Sequence, residues 1–328
     1  MKQLTVYGGM NDPHTLRVSA LLSEMGVDVQ YIDPIGGAAK SIGFDPSFPE
    51  VISTVRFKDR SLGCLSTDNS LIWLRSKRVL HYIRDEADQA HYFAKSENST
   101  FIIGLIKTFN IPSFNQYLST LCHENKIIQI TSAKNVGFDV PRTIVTSNKD
   151  SVLDFIDSVE SAIVKPLKMN LVPPPLSNPD SLMSILVNVV DRDEIMNASH
   201  EEIGAAPAIY QEYIEKKYEL RVICFGEDVL AYKIDSQNSK FGHIDWRRAQ
   251  FEKIYSIHNI PPQVAQLCVN YLKENGLHYG VFDLVVRPDG SFVFLECNSD
   301  GQWAWLEGES DIGPISQMFA ENITRLLQ

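Results

Sequence analysis

Residues 282–298 constrain this chain more than any other stretch. Phe-Asp-Leu-Val-Val-Arg-Pro-Asp-Gly-Ser-Phe-Val-Phe-Leu-Glu-Cys-Asn reads as an apolar hairpin whose strands, outside the Pro-Asp turn, carry two carboxylates and an amide among their aliphatic and aromatic residues. Side chains two apart on a strand share a face, so Glu296 and Asn298 point the same way. A two-residue loop, Pro288-Asp289 closed by Arg287 and Gly290, sets Asp283 opposite Phe294 and diagonal to Glu296, on that same face. A three-residue loop turns Asp283 to the other side. A buried charge needs a partner. Three oxygen ligands converging on one sheet face suit a hard cation such as Mg²⁺, which keeps waters and shares its shell with substrate phosphates. Asp283, Glu296 and Asn298 are therefore the candidate metal ligands. The competing reading, a polar stripe on a solvated hairpin, is opposed by the apolar residues that flank the acids on both faces.

The rest of the chain bounds what such a hairpin can belong to. With 328 residues, 44% of them hydrophobic, there is enough for one large or two medium domains with real cores, divided into two or three subdomains. Five widely spread cysteines (Cys64, Cys122, Cys224, Cys268, Cys297) contain no Cys-x-x-Cys pattern, and the eight histidines show no metal spacing, so neither a disulfide framework nor a zinc site is expected. The apolar run after Met1 is too short for a signal peptide, no stretch is long enough to span a bilayer, and a cytoplasmic protein without a membrane partner is expected. A net charge of −11 speaks against nonspecific nucleic-acid binding.

Residues 4–7, 13–25 and 27–32 read as strand, helix and strand. The turn between the first two, Gly8-Gly9-Met10-Asn11-Asp12, lacks the three-glycine dinucleotide fingerprint, so this opening reads as an α/β scaffold. Residues 35–49 read as a loop, 70–74 as a short strand, and 78–109 as a helical stretch long enough for two helices. Further on, 126–135 is a predicted helix stopping at Gly137, 138–146 a loop entering a strand, 151–159 a helix and 162–166 a strand. Residues 167–179 hold four of the chain's sixteen prolines and read as a mobile loop. Strands at 209–214 and 220–225 flank the charged run 215–219. Helices at 263–275 and 315–327 carry apolar stripes that need no role beyond core packing. No internal repeat is visible.

A metal face that favours phosphates raises the question of what else holds a nucleotide. Lys165 ends a strand next to a proline that cannot continue a ladder, which places an ammonium at a sheet margin. Gln211-Glu212-Tyr213-Ile214 offers an extended backbone to the edge of an adenine, and Glu219 is placed to meet ribose hydroxyls.

In order along the chain, Lys126, Val-Pro-Arg-Thr (140–143), Ile-Val-Lys-Pro (163–166), Gln-Glu-Tyr-Ile (211–214), Glu-Leu-Arg-Val (219–222) and the Asp283 to Glu296-Cys-Asn298 hairpin together resemble the ATP-grasp superfamily over about residues 120–328. Ser236-Gln237, His-Ile-Asp-Trp-Arg-Arg (243–248) and Asn-Ser-Asp-Gly-Gln-Trp-Ala-Trp-Leu-Glu (298–307) narrow the resemblance to the maturases of microviridins and related graspetides. The resemblance implies an α/β ATP-grasp fold: an N-terminal α/β domain over 1–118 and an ATP-grasp domain over 119–328, with a central lid part at 138–212 and a catalytic part at 213–328. It makes Lys126 and Lys165 phosphate ligands, Glu212, Tyr213 and Ile214 the adenine-contacting connection, and Glu219 the ribose partner. Arg221 and Arg247 then face the phosphates or the activated carboxylate, while Asp283, Glu296 and Asn298 bind a pair of Mg²⁺ ions; Lys165, Arg221 and Arg247 are the implied catalytic residues. Cys297 stands where the family has an aliphatic residue, and Ser299-Asp300 replaces the commoner Pro-Asn. The implied reaction is ADP-forming: ATP activates an Asp or Glu side chain of a ribosomal precursor peptide as an acyl phosphate, which a Ser or Thr hydroxyl or a Lys amine captures. The implied assembly is a homodimer. Two other readings stay open, a ligase adding an amino acid to a separate peptide or protein, and a nucleotide- and peptide-binding protein without catalysis.

Overall fold

The computed structural model describes residues 2–9, 11–32, 70–75, 86–108, 110–167, 171–172, 183–249, 252–308 and 313–328. In chain order the elements begin with β1 (Gln3–Tyr7), α1 (Pro13–Glu24), β2 (Asp28–Ile32), β3 (Ser70–Leu74), α2 (Glu86–Thr108) and α3 (Tyr117–Cys122). They continue with α4 (Lys126–Val136), β4 (Thr143–Thr146), α5 (Lys149–Asp157), β5 (Ala162–Lys165), β6 (Leu171–Val172), β7 (Met183–Ser184), β8 (Asn188–Val189), α6 (Arg192–Asn197) and α7 (His200–Gly204). Then come β9 (Ala208–Glu212), β10 (Tyr218–Phe225), β11 (Asp228–Ile234), β12 (Tyr255–His258), α8 (Pro262–Glu274), β13 (Tyr279–Val286), β14 (Phe292–Asn298) and α9 (Pro314–Leu326). The stretch predicted to hold two helices is one helix, α2, over its described part. The predicted loop at 35–49 and most of the proline-rich stretch 167–179 lie outside the described residues.

Two compact units emerge. One comprises Met1–Thr120, Gly276–Tyr279 and Gln302–Gln328; the other comprises Leu121–Asn275 and Gly280–Gly301.

In the first unit β1 lies between β2 and β3, parallel to both, and α1 makes the crossover. The helix begins at Asp12, whose carboxylate accepts the His14 N–H at 2.9 Å, with Pro13 in the first turn where its missing donor costs nothing. The core is aromatic: Trp73 stacks on Phe114 at 5.2 Å, and Phe319 of α9 meets Trp303 at 4.8 Å. Trp303 is 1% exposed, so the Gly-Gln-Trp-x-Trp run contributes a core residue there. His14 holds it from the polar side, its Nε2 accepting the Trp303 and Ala304 N–H groups at 2.9 and 3.1 Å. An acceptor at Nε2 leaves the ring proton on Nδ1, facing Asp12.

The second unit holds a five-stranded sheet, in order β12-β11-β10-β13-β14, and a four-stranded sheet, β4-β9-β5-β8. The β13–β14 hairpin differs from the expected one in a way that preserves its purpose. Arg287 N–H bonds Ser291 O at 2.9 Å and Gly290 N–H bonds Arg287 O at 2.9 Å, so the loop is the three residues Pro288-Asp289-Gly290, not two. Gly290 takes the left-handed turn position, φ +88°. That loop alone would pair Asp283 with Leu295 and turn it away. Instead the register shifts between Leu284↔Phe294 and Asp283↔Glu296, leaving Leu295 as a β-bulge. The extra residue reverses the flip, and Asp283 stands directly opposite Glu296, two pairs from Val281↔Asn298 and so on the same face. The other face is core: Phe282 and Phe294 pack on Tyr271 of α8 at 5.3 and 5.6 Å.

After Asn298 the chain turns back over β13, with Gly301 N–H on Asn298 O at 3.1 Å. A Cβ at Gly301 would lie 2.5 Å from the Val281 Cβ, so only glycine fits. Gly301→Ala is expected to cost about 1–3 kcal/mol of stability, read by urea unfolding, because the strand beneath has no room to retreat.

Candidate active site

One face of the hairpin, β10 beside it, the start of α4, the end of β5 and the 3-10 turn Trp246–Ala249 bring seven of the predicted residues together. Asn125 caps α4, accepting the Ile127 N–H at 2.9 Å, which puts Lys126 at the first helical position. Gln129, one turn on, accepts the Cys297 N–H at 3.1 Å and ties α4 to β14. From there the Lys126 ammonium donates to Glu296 Oε2. Arg247 reaches the other oxygen, Nη2 to Oε1 at 2.7 Å, and lies 3.7 Å from Asp283 Oδ2. Arg221, on β10, donates from one nitrogen to both Asp283 oxygens at 2.7 and 3.0 Å. Asn298 Nδ2 donates to Glu296 Oε1 at 3.3 Å.

The electrostatics follow from this packing. Burial raises the Asp283 carboxyl to about 6 despite Arg221, while Glu296, equally buried, is held well below the ordinary range by Lys126 and Arg247. Burial works against the Arg247 charge, but Glu296, Asp283, Asp245 and Glu219 together raise its pKa. Lys165 is different. Burial and the neighbouring Lys126 charge lower it to about 8, and among the described residues its acceptor is a neutral amide, Gln211 Oε1 at 2.9 Å. Three cations of the site hydrogen-bond to carboxylates; Lys165 feels Glu296 and Asp245 through space but, among the described residues, bonds to neither.

The predicted adenine and ribose residues border that cluster. β9 stops at Glu212, two residues short of the predicted strand, so Tyr213 and Ile214 belong to the connection between the two sheets. Glu212 and Tyr213 give their N–H groups to Arg142 O and Ser161 O, both at 2.9 Å. Ile214 packs on Val285, Val293 and Leu295, the apolar end of the face that carries the acids. Val285 and Val281 are four residues apart on β13, so apolar and polar ends are separated by about 13 Å, at roughly 3.3 Å per residue. Glu219 is buried and paired with Lys216 at 2.9 Å, a lysine that also bonds Ile244 O.

Two residues near the site have side-chain roles that sequence reasoning missed, Gln211 having been read only as backbone of the adenine-facing run. Gln211 is fully buried beneath Lys165. Asp245, 3% exposed, accepts the Arg247 N–H at 3.0 Å and so fixes the turn that presents its guanidinium; the Asp-Trp-Arg run was its only signal. Cys297 faces the core, 0% exposed, with its thiol raised well above the usual range by burial, and is no nucleophile.

Asp283, Glu296 and Asn298 supply only oxygen and amide donors on one buried face, a set that fits a hard divalent cation. Among the described residues no group of three or more His, Cys, Asp or Glu side chains forms a metal cluster, so any such ion shares its shell with groups from elsewhere. No described helix is long and apolar enough to cross a membrane.

No family model and no curated protein matches the sequence. Solved structures do match. A RiPP-associated ATP-grasp ligase from Chryseobacterium gregarium, in complex with ADP and a leader and core peptide, superposes with TM-score 0.83 at 22% identity, covering 100% of this chain and 96% of that one. The macrocyclase MdnC from Microcystis aeruginosa, bound with its precursor peptide MdnA, gives 0.79 at 22% identity over 99% and 100%. The ATP-grasp ligase PsnB, complexed with a precursor variant, Mg and ADP, gives 0.74 at 19% identity over 99% and 98%. The fold of this chain is that of the ATP-grasp ligases.

Proposed function

We propose that the protein is an ADP-forming ligase that activates Asp or Glu side chains of a ribosomal precursor peptide and closes them onto Ser or Thr hydroxyls, or Lys amines, of the same peptide. The observation that carries this reading is Lys165, an ammonium with a neutral acceptor, held beside Lys126, Arg221 and Arg247 over a carboxylate face. Such a surplus of positive charge suits a polyanion, and the apolar floor under Ile214 suits the base of a nucleotide. Asp283, Glu296 and Asn298 would hold Mg²⁺, which when bound neutralises phosphate charge.

The remaining work is positioning. Lys126 and Lys165 bind phosphate oxygens and keep the triphosphate in line with the incoming carboxylate. Arg247, fixed by Asp245, and Arg221, fixed by Asp283, orient that carboxylate and stabilise charge on the transferring phosphoryl group. The attack joins a carboxylate oxygen to the γ-phosphorus and releases ADP; a hydroxyl or amine then displaces phosphate. The central part, residues 138–212, acts as the lid that keeps water from the acyl phosphate. A homodimer in the cytoplasm belongs to the same reading, supported by the resemblance of the sequence motifs.

The test is to incubate the protein with ATP, Mg²⁺ and a candidate precursor peptide, then weigh the peptide and assay ADP. Loss of one water per ADP formed is the expected outcome. A gain in peptide mass indicates addition of a second molecule, and an unchanged peptide without ADP indicates binding alone; either result contradicts the proposal.

A further inference from the structure

A lysine side chain has four rotatable bonds and no directional preference at its tip, so aiming it requires an acceptor that is itself held. β5 and β9 pair with Ile163 opposite Gln211 and Lys165 opposite Ile209, which places Gln211 diagonal to Lys165 on one face. On the other side of β9, Thr143 of β4 stands directly opposite Gln211. The three residues form a chain across three strands. The Thr143 hydroxyl donates its single proton to Pro141 O at 2.8 Å. Toward Gln211 it can therefore only accept, so the atom facing it, 2.9 Å away, is the amide nitrogen. The amide's oxygen is left pointing the other way, 2.9 Å from the Lys165 ammonium. Gln211 is 0% exposed, and turning its amide over would set the NH2 group against the Lys165 ammonium.

We infer that Gln211, locked in one orientation by Thr143, is the positioning residue that aims the Lys165 ammonium at the phosphates. This deepens the ligase reading and rests on it for the identity of the anion. A neutral acceptor suits the task. A glutamate here would neutralise Lys165 and compete with phosphate, whereas an apolar residue would leave the ammonium free to swing toward Glu296. Lys126, Arg247, Glu296 and Asp245 are the charged groups that bear on Lys165, and the first two repel it. Gln211 offsets that repulsion without adding a charge.

The test has an arm that needs no nucleotide. Trace acetylation of the nucleotide-free protein, followed by mass spectrometry of the peptide holding Lys165, gives that lysine's reactivity across neutral to alkaline pH. The wild-type midpoint is expected near 8. Gln211→Met should move it lower and weaken binding of ADP with Mg²⁺ about tenfold, the effect of losing one hydrogen bond to a charged group. Gln211→Glu should move the midpoint upward, toward the ordinary 10.5. Thr143→Val, at a half-buried position, should act like Gln211→Met but less strongly, and carries the same test if Gln211→Met does not fold. A Lys165 profile unmoved by all three changes overturns the role of Gln211, even if unfolding temperatures fall. Failure of the wild type to bind ADP with Mg²⁺ contradicts the ligase reading instead.

Discussion

Replacing Glu296 with alanine is expected to abolish ATP turnover while leaving the protein folded. Glu296 is the carboxylate on which Lys126, Arg247 and Asn298 converge, so its loss removes a proposed metal ligand and the anchor of two phosphate-facing cations together. Breaking a fully buried ion pair costs about 3–5 kcal/mol, but here the partners are reachable by water: the Lys126 and Arg247 side chains are 22% and 39% exposed. Solvent tempers the penalty, and about 1–2 kcal/mol is expected. The variant should therefore show near-native circular dichroism and a modest drop in urea midpoint, with no peptide crosslinking and no ADP.

Arg221→Met should do the reverse, with stability as its largest effect. Arg221 and Asp283 are both buried, their side chains 7% and 8% exposed, so removing the guanidinium leaves the carboxylate inside the sheet without its hydrogen-bonding partner, Arg247 at 3.7 Å being its remaining cation. About 3–5 kcal/mol is expected near pH 8. The pH dependence has a definite sign. Burial raises the folded Asp283 pKa above its ordinary 3.8 to about 6, so the folded state binds this proton more tightly than the unfolded one. Its contribution to stability then falls as pH rises from 3.8 to about 6 and is flat above. Without Arg221 the folded pKa climbs further, and the window of falling stability extends upward. Near pH 5, where Asp283 keeps its proton, the variant should lose only about 1–2 kcal/mol, the value of the missing hydrogen bonds. Urea unfolding at the two pH values measures the difference.

How much of this was legible in the sequence depends on whether the information is local. The period-two relation that pairs Glu296 with Asn298 and the helix stop at Gly137 are local signals, and the elements stand where they put them; the cap at Asn125 was equally local but went unread. The acidic face was legible as well, though by a route the pattern does not encode. A two-residue loop was expected, whereas a three-residue loop followed by a bulge at Leu295 reaches the same alignment. Alternation fixes which residues share a face along one strand and says little about a slip between strands, because a bulge is set by packing on both sides. β9 was read two residues too long for a related reason: Tyr213 and Ile214 are β-formers, but the N–H of Tyr213 closes the ladder and the chain departs for the next sheet. The partners of the cations were hidden entirely. Lys126 and Glu296 are 170 residues apart, and Arg221 and Asp283 are 62 apart. Only the fold brings them together.

The central claim is that Asp283, Glu296 and Asn298 hold a divalent ion where a nucleotide's phosphates lie. Mn²⁺ substituted for Mg²⁺ reports on this directly through water-proton relaxation, titrated with ADP against the wild-type protein and Glu296→Ala. An enhancement that requires both protein and ADP, and that Glu296→Ala lacks, is the expected result; equal relaxation in the two proteins would contradict the account.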